Sequence, residues 1–180
     1  MNAAAKLPLA KDISASVLER AIACLAHGEV AEAKEQWELA LEHYGMGLSL
    51  SPKEPRTAYL LFNNAGHCLN RLGFYTDAES YCRRAIAIDS KRHDAYRNLG
   101  ISLQGQDNLR GAAWAWVEAI KATPSDPVAV DLLKHLLNER PSLLLQCPWI
   151  EQELLTALGI LSMADSQGRP IGHGIYRARG

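Results

Sequence analysis

Moved along itself until Phe62 lands on Tyr96, the sequence repeats. In that register Asn64 lands on Asn98, Gly66 on Gly100 and Leu69 on Leu103. Further on, Ala78 lands on Ala112, Ala85 on Ala119 and Ile86 on Ile120. Small residues coincide with small ones and large apolar residues with large ones. Self-similarity at a period of about 34 residues marks stacked helical hairpins, each too small to bury its apolar face alone. Such a chain folds as an all-α array, and arrays of this kind act by presenting an extended surface to a partner. Glycine at 66 and 100 and alanine at 78 and 112 mark places where two helix backbones approach closely. Larger side chains fill the space between them, as close packing requires.

The residues that carry this match resemble the tetratricopeptide repeat family. In the third unit Tyr96, Leu99-Gly100 and Leu103 stand for the first helix, Ala112, Trp116 and Ala119 for the second, and Pro124 closes the unit. The second unit reads Phe62, Ala65-Gly66, Leu69, Ala78, Cys82 and Ala85, with Ser90 at the closing position. In the first unit Gly28, Ala33, Trp37, Ala40 and Leu41 align with Gly73, Ala78, Cys82, Ala85 and Ile86 at an offset of 45. The resemblance implies a right-handed α-α superhelix of three helical hairpins plus a capping helix. An extra C-terminal helix follows. The domain reading is an N-terminal segment over 1–13, the array with its capping helix over 14–140, a helical extension over 141–165 and a flexible tail over 166–180.

Capping chemistry predicts the element boundaries. Ser16-x-x-Glu19, Ser51-Pro52-Lys53-Glu54 and Thr76-Asp77-Ala78-Glu79 have the form of capping boxes, and Pro127 follows Asp126 at a helix start. Gly28, Gly45, Gly73 and Gly105 fall where helices should end. Helices are expected near 14–27, 30–44, 53–72, 76–89, 93–104, 108–122, 127–139 and 149–164. Residues 45–50 then form a turn with two exposed leucines, and part of the stretch inserted between the first two units extends the helix after Pro52. The segment after Pro148 is apolar nearly all round and must be buried. Packing on the open side of the capping helix is expected, with Trp114 as a further surface on which it could lie.

In the family, first helices line a concave groove. Carried over by position, the second unit supplies Asn63, Asn64, His67, Asn70 and Arg71. The third supplies Asp94, Arg97, Asn98, Ile101 and Gln104, and the capping helix Asp131 and His135. A carboxamide offers a donor and an acceptor together, which suits the backbone of an extended peptide. The competing reading is that the asparagines bond locally between helices. The resemblance also tests one ligand class. Members that grip the C-terminal carboxylate of heat-shock chaperones use two lysines, an arginine and two asparagines. Here only Asn64 matches, and Leu18, Ile22, Asp94 and Asn98 hold the other places. Asp94 would repel a carboxylate, so that class is rejected. In the first unit Leu18, Ile22, Leu25 and Ala26 form an apolar stripe that no earlier helix covers. It is read as covered by Ala3–Leu9, with a partner pocket or a homodimer seam as the sharper alternatives.

Composition narrows the class. A net charge of −1 supplies no basic field for nucleic acid, and aromatic content of 7% is low for a base-stacking platform. No apolar stretch has the length of a membrane span, and Pro8 and Lys11 interrupt the N-terminal apolar run as no secretory signal would. The four cysteines, Cys24, Cys68, Cys82 and Cys147, form no Cys-x-x-Cys pair and are read as reduced, buried thiols in a cytoplasmic protein. His27, His43, His67, His93, His135 and His173 show no metal-ligand spacing, and no phosphate loop occurs. The expectation is a non-enzymatic adaptor or co-chaperone-like module with a protein or peptide partner and no cofactor. The alternative is a structural subunit that oligomerises through its C-terminal helix.

Overall fold

The computed structural model describes the backbone of residues 10–157, with side chains from residue 17 onward. Every regular element in that span is an α-helix. The chain divides into two compact units, residues 1–90 and 91–180. The first contains α1 (Ala10–Glu32), α2 (Trp37–Ser49), α3 (Pro55–Arg71) and α4 (Tyr75–Ile88). The second contains α5 (His93–Gly105), α6 (Leu109–Ala122), α7 (Pro127–Glu139), α8 (Ser142–Gln146) and α9 (Trp149–Ala157). The paired helices α1/α2, α3/α4 and α5/α6 make three hairpins.

All three hairpins close by the same chemistry. The Gln36 N–H donates to the Ala31 carbonyl at 3.0 Å, Phe74 to Leu69 at 2.9 Å and Asn108 to Leu103 at 2.9 Å. The residue before each donor lies in the left-handed region: Glu35 at φ 56°, Gly73 at 81° and Asp107 at 59°. This is the Schellman end of a helix, in which one left-handed residue lets the next amide satisfy a carbonyl five residues back. At one fixed interval after each close-contact glycine stands the residue it faces: Tyr44 over Gly28, Cys82 over Gly66 and Trp116 over Gly100. The repeat therefore advances from Gly28 to Gly66 and then to Gly100, and its first step is longer than its second by four residues.

That register corrects the first unit. Gly28 is not a helix end. It lies inside α1, which runs on to Glu32, so α2 begins at Trp37 rather than near residue 30. Residues 45–50 do not form the expected turn, because α2 continues to Ser49 and buries Gly47. Leu48 and Leu50 pack against the core of the unit instead of facing solvent. The insertion goes into α3, which has 17 residues against 13 in α5. Its cap is Glu54, whose carboxylate accepts from the amides of Arg56 at 2.9 Å and Thr57 at 2.6 Å. Ser16 lies inside α1, and α4 begins ahead of Thr76 at Tyr75 with no side-chain cap. Asp126 does cap α7, accepting from the Val128 amide at 3.0 Å ahead of Pro127.

The first unit buries Ala21, Leu25, Ala40, Tyr44, Leu61, Ala65 and Cys68 in one core. In the second, Trp116, Val117 and Ile120 of α6 are buried with Leu133, Leu136 and Leu137 of α7. Leu143, Cys147 and Ile150 continue that core through α8 into α9. The principal support of α9 is α6, the helix that carries Trp114. The N-terminal segment Ala3–Leu9, the end of the extension beyond residue 157 and the tail 166–180 lie outside the described residues.

Candidate functional site

In the first unit, three helices converge on one carboxylate. Glu32 ends α1 and faces both α2 and α3. Its Oε2 accepts from the Tyr44 hydroxyl at 2.7 Å, and its Oε1 stands 2.7 Å from His67 Nδ1. Burial pushes the Glu32 carboxyl up, but hydrogen bonds from His67 and Tyr44 outweigh it and hold the group below its ordinary value. The Tyr44 phenol is driven well up by burial and by the carboxylate it serves. Asn64 bonds the same hydroxyl and accepts from Asn63 Nδ2 at 3.1 Å. Trp37, the first residue of α2, sets its edge against the His67 ring at 5.7 Å. Arg71 lies over the Trp37 face at 4.6 Å. His67 and Arg71 thus stand one turn apart on α3, each held by a fixed neighbour. Asn70 is buried.

Among the expected residues of the second unit, Asp94 and Arg97 engage each other. Arg97 reaches Asp126 at 3.2 Å and Asp94 at 3.6 Å. Asp94 also meets Arg92 and His93, both at 3.2 Å. His93 is fixed from its other nitrogen by Thr123 Oγ1 at 3.1 Å. These charges balance within the cluster and tie the start of α5 to the start of α7. Asn98 is 6% exposed, unlike the half-buried Asn64 it matches in the repeat. Ile101 and Gln104 are half-buried, and Asp131 and His135 are exposed on α7. His135 pairs with Glu139 at 3.3 Å. Of the apolar stripe on α1, Ile22 and Ala26 are exposed, whereas Leu25 belongs to the core.

Sequence reasoning missed Glu32 and Tyr44, and read Trp37 as a repeat position of the first hairpin, not as a neighbour of His67 and Arg71. The signal was present: Gly28 precedes Tyr44 by the same interval that separates Gly100 from Trp116. Among the described residues, no group of three or more His, Cys, Asp or Glu could hold a metal ion, and no helix is long and apolar enough to cross a membrane.

The hairpin closures, the crossing glycines and the repeat they define agree with comparisons to known proteins. Human tetratricopeptide repeat protein 7B is 29% identical over 100 residues, which is 56% of this chain and 11% of that protein. The small glutamine-rich tetratricopeptide repeat-containing protein 2 of Mycosarcoma maydis is 27% identical over 103 residues, 57% of this chain and 28% of that protein. The chain is similar in sequence to these tetratricopeptide repeat proteins and has the fold of tetratricopeptide repeat domains. The first such domain of Spaghetti (RPAP3), solved with the HSP90 peptide SRMEEVD, shares the fold with a TM-score of 0.62. It is 20% identical, and the alignment covers 68% of this chain and 94% of that domain. No family model matches the sequence. The chain spans less than a third of the length of the curated relatives named here.

Proposed function

We propose that this chain is an adaptor whose first-helix faces bind an extended segment of a partner protein. The observation that carries the reading is the patch on α3, where His67 and Arg71 stand on adjacent turns, held by Glu32 and Trp37. Groups already fixed by their neighbours lose little freedom on binding, which is how a small patch gains affinity. The tetratricopeptide fold supports an interaction role, and we place the chain in the cytoplasm as part of the same proposal.

The partner is not one gripped by a terminal carboxylate. Correcting the register by seven residues moves the two first-unit clamp places from Leu18 and Ile22 to Leu25 and Glu29. Neither is basic, Glu29 adds a repelling charge, and Asp94 is engaged with three basic side chains. The chain therefore differs in ligand from the domain solved with SRMEEVD. Oligomerisation through the C-terminal helix is the weaker reading, because residues 149–157 rest on α6 of the same chain.

The test compares tagged full-length protein with a His67→Ala, Arg71→Ala variant. Co-purifying proteins are quantified by mass spectrometry and folding is checked by thermal melting. A partner whose recovery drops about tenfold, or roughly 1.4 kcal/mol, at unchanged melting temperature supports the reading. Unchanged recovery of every partner overturns it.

A further inference from the structure

The second unit holds a cleft of about 230 Å³ that the first-helix reading does not use. Trp114, Val117, Glu118 and Lys121 of α6 line it together with Trp149 and Glu153 of α9. Trp114 is 40% exposed, and Ser80 takes its place in the preceding repeat, so hairpin packing does not demand an indole there. Lys121 Nζ stands 2.9 Å from Glu118 Oε1 and 2.7 Å from Glu153 Oε2. Two carboxylates against one ammonium leave the cleft with one negative charge in excess. Its walls are therefore two indoles, whose faces attract cations, and two carboxylates that share one ammonium.

The neighbouring repeat shows how such a place is filled. On the α3/α4 hairpin, Arg84 lies over the Phe62 ring at 4.1 Å. The equivalent positions on α5/α6 hold Tyr96, which meets Trp114 edge-on at 6.1 Å, and Glu118 in place of the arginine. The aromatic platform is kept and enlarged, while the chain's own guanidinium is exchanged for a carboxylate.

We propose that this cleft docks an arginine side chain of a partner protein. Charge complementarity selects a cation. Guanidinium suits the site better than ammonium because it is planar, weakly hydrated and able to stack on indole while its edge donors meet carboxylate oxygens. Glu118 meets Lys121 through Oε1 and Glu153 through Oε2, so a guanidinium would use Glu118 Oε2 or Glu153 Oε1.

The test is a titration of the full chain followed through the indole N–H resonances, with capped arginine and capped citrulline, its uncharged isostere. Arginine should produce saturable shifts of Trp114 and Trp149 that weaken as salt rises, and citrulline should not. Trp114→Ser, which installs the residue of the preceding repeat, should abolish those shifts at unchanged melting temperature. Equal shifts from the two probes, no shifts, or shifts at Trp149 that survive Trp114→Ser overturn the proposal. A full-length variant with Arg169, Arg177 and Arg179 changed to Gln separates the source of the arginine. Unchanged affinity supports a partner, and a clear gain assigns the cleft to the chain's own arginines and overturns the partner reading.

Discussion

Two glycines of the first unit have opposite roles, although both look like helix breakers in the sequence. At Gly28 an added Cβ runs into the Tyr44 ring, which is fully buried and held through its hydroxyl by Glu32. At Gly45, inside α2, it meets nothing within 4 Å. Helix propensity favours alanine at both by roughly 1 kcal/mol. Overpacking a fixed core costs about 1–3 kcal/mol and outweighs that gain only at position 28. Gly28→Ala should therefore lower the melting temperature and Gly45→Ala should raise it. A rise for both would show that Tyr44 yields and that the crossing is loose. The carboxylate beside Tyr44 makes a pH statement as well. Its folded value lies below the ordinary 4.5, so its contribution is fully present above that pH and is lost as pH falls through the folded value. Glu32→Gln should lower stability at neutral pH and flatten the acid limb of the stability curve between those two values. An acid limb unchanged by the substitution would mean that the network is not linked to folding.

Whole elements explain why the second and third hairpins were legible and the first was not. The expected offset of 45 exceeds the observed step from Gly28 to Gly66 by seven residues, close to two helical turns. A slip of two turns returns each helix face to itself, so Trp37, Ala40 and Leu41 could stand in for Tyr44, Gly47 and Leu48 with the apolar pattern intact. Periodicity is blind to that error. Turn geometry is not, because Glu35 and Asp107 take the left-handed conformation that the sequence shows openly only at Gly73. The same slip hid the site's support: the second hairpin's own repeat pattern points to Asn64, His67 and Arg71, but Glu32 and Tyr44 come from the first hairpin. The extra helix was expected to be buried nearly all round, but over Trp149–Ala157 it buries Ile150 alone and leaves Glu151, Gln152 and Thr156 exposed, with α6 as its seat. Truncation after Arg140 should uncover the surface that Leu143, Cys147 and Ile150 now bury. The expected outcome is increased binding of a hydrophobic dye with the helical circular dichroism of residues 10–140 retained. A truncation that binds no more dye than the parent and melts at the same temperature would mean that this core adds nothing to the array.

At the scale of the whole molecule, a short repeat array has little stability to spare, since each hairpin depends on its neighbours for burial. The cysteines report how well that burial holds. Cys68, Cys82 and Cys147 are fully buried, the first two in one unit and the third in the other, whereas Cys24 is half-buried. Burial, with help from the nearby Glu32 charge, pushes the Cys68 thiol up to about 12, so at neutral pH it is neither accessible nor ionised. A thiol reagent in excess should therefore modify Cys24 first in the native protein, and reach the other three only as fast as the chain opens. Labelling read by mass spectrometry, peptide by peptide, gives a protection value for each unit. Substitutions that loosen one unit, such as Gly28→Ala in the first, should accelerate Cys68 and Cys82. If Cys68, Cys82 or Cys147 reacts in native buffer as fast as Cys24, the cores are not closed in solution, and the fixed patch at His67 and Arg71 loses the support on which its proposed role depends.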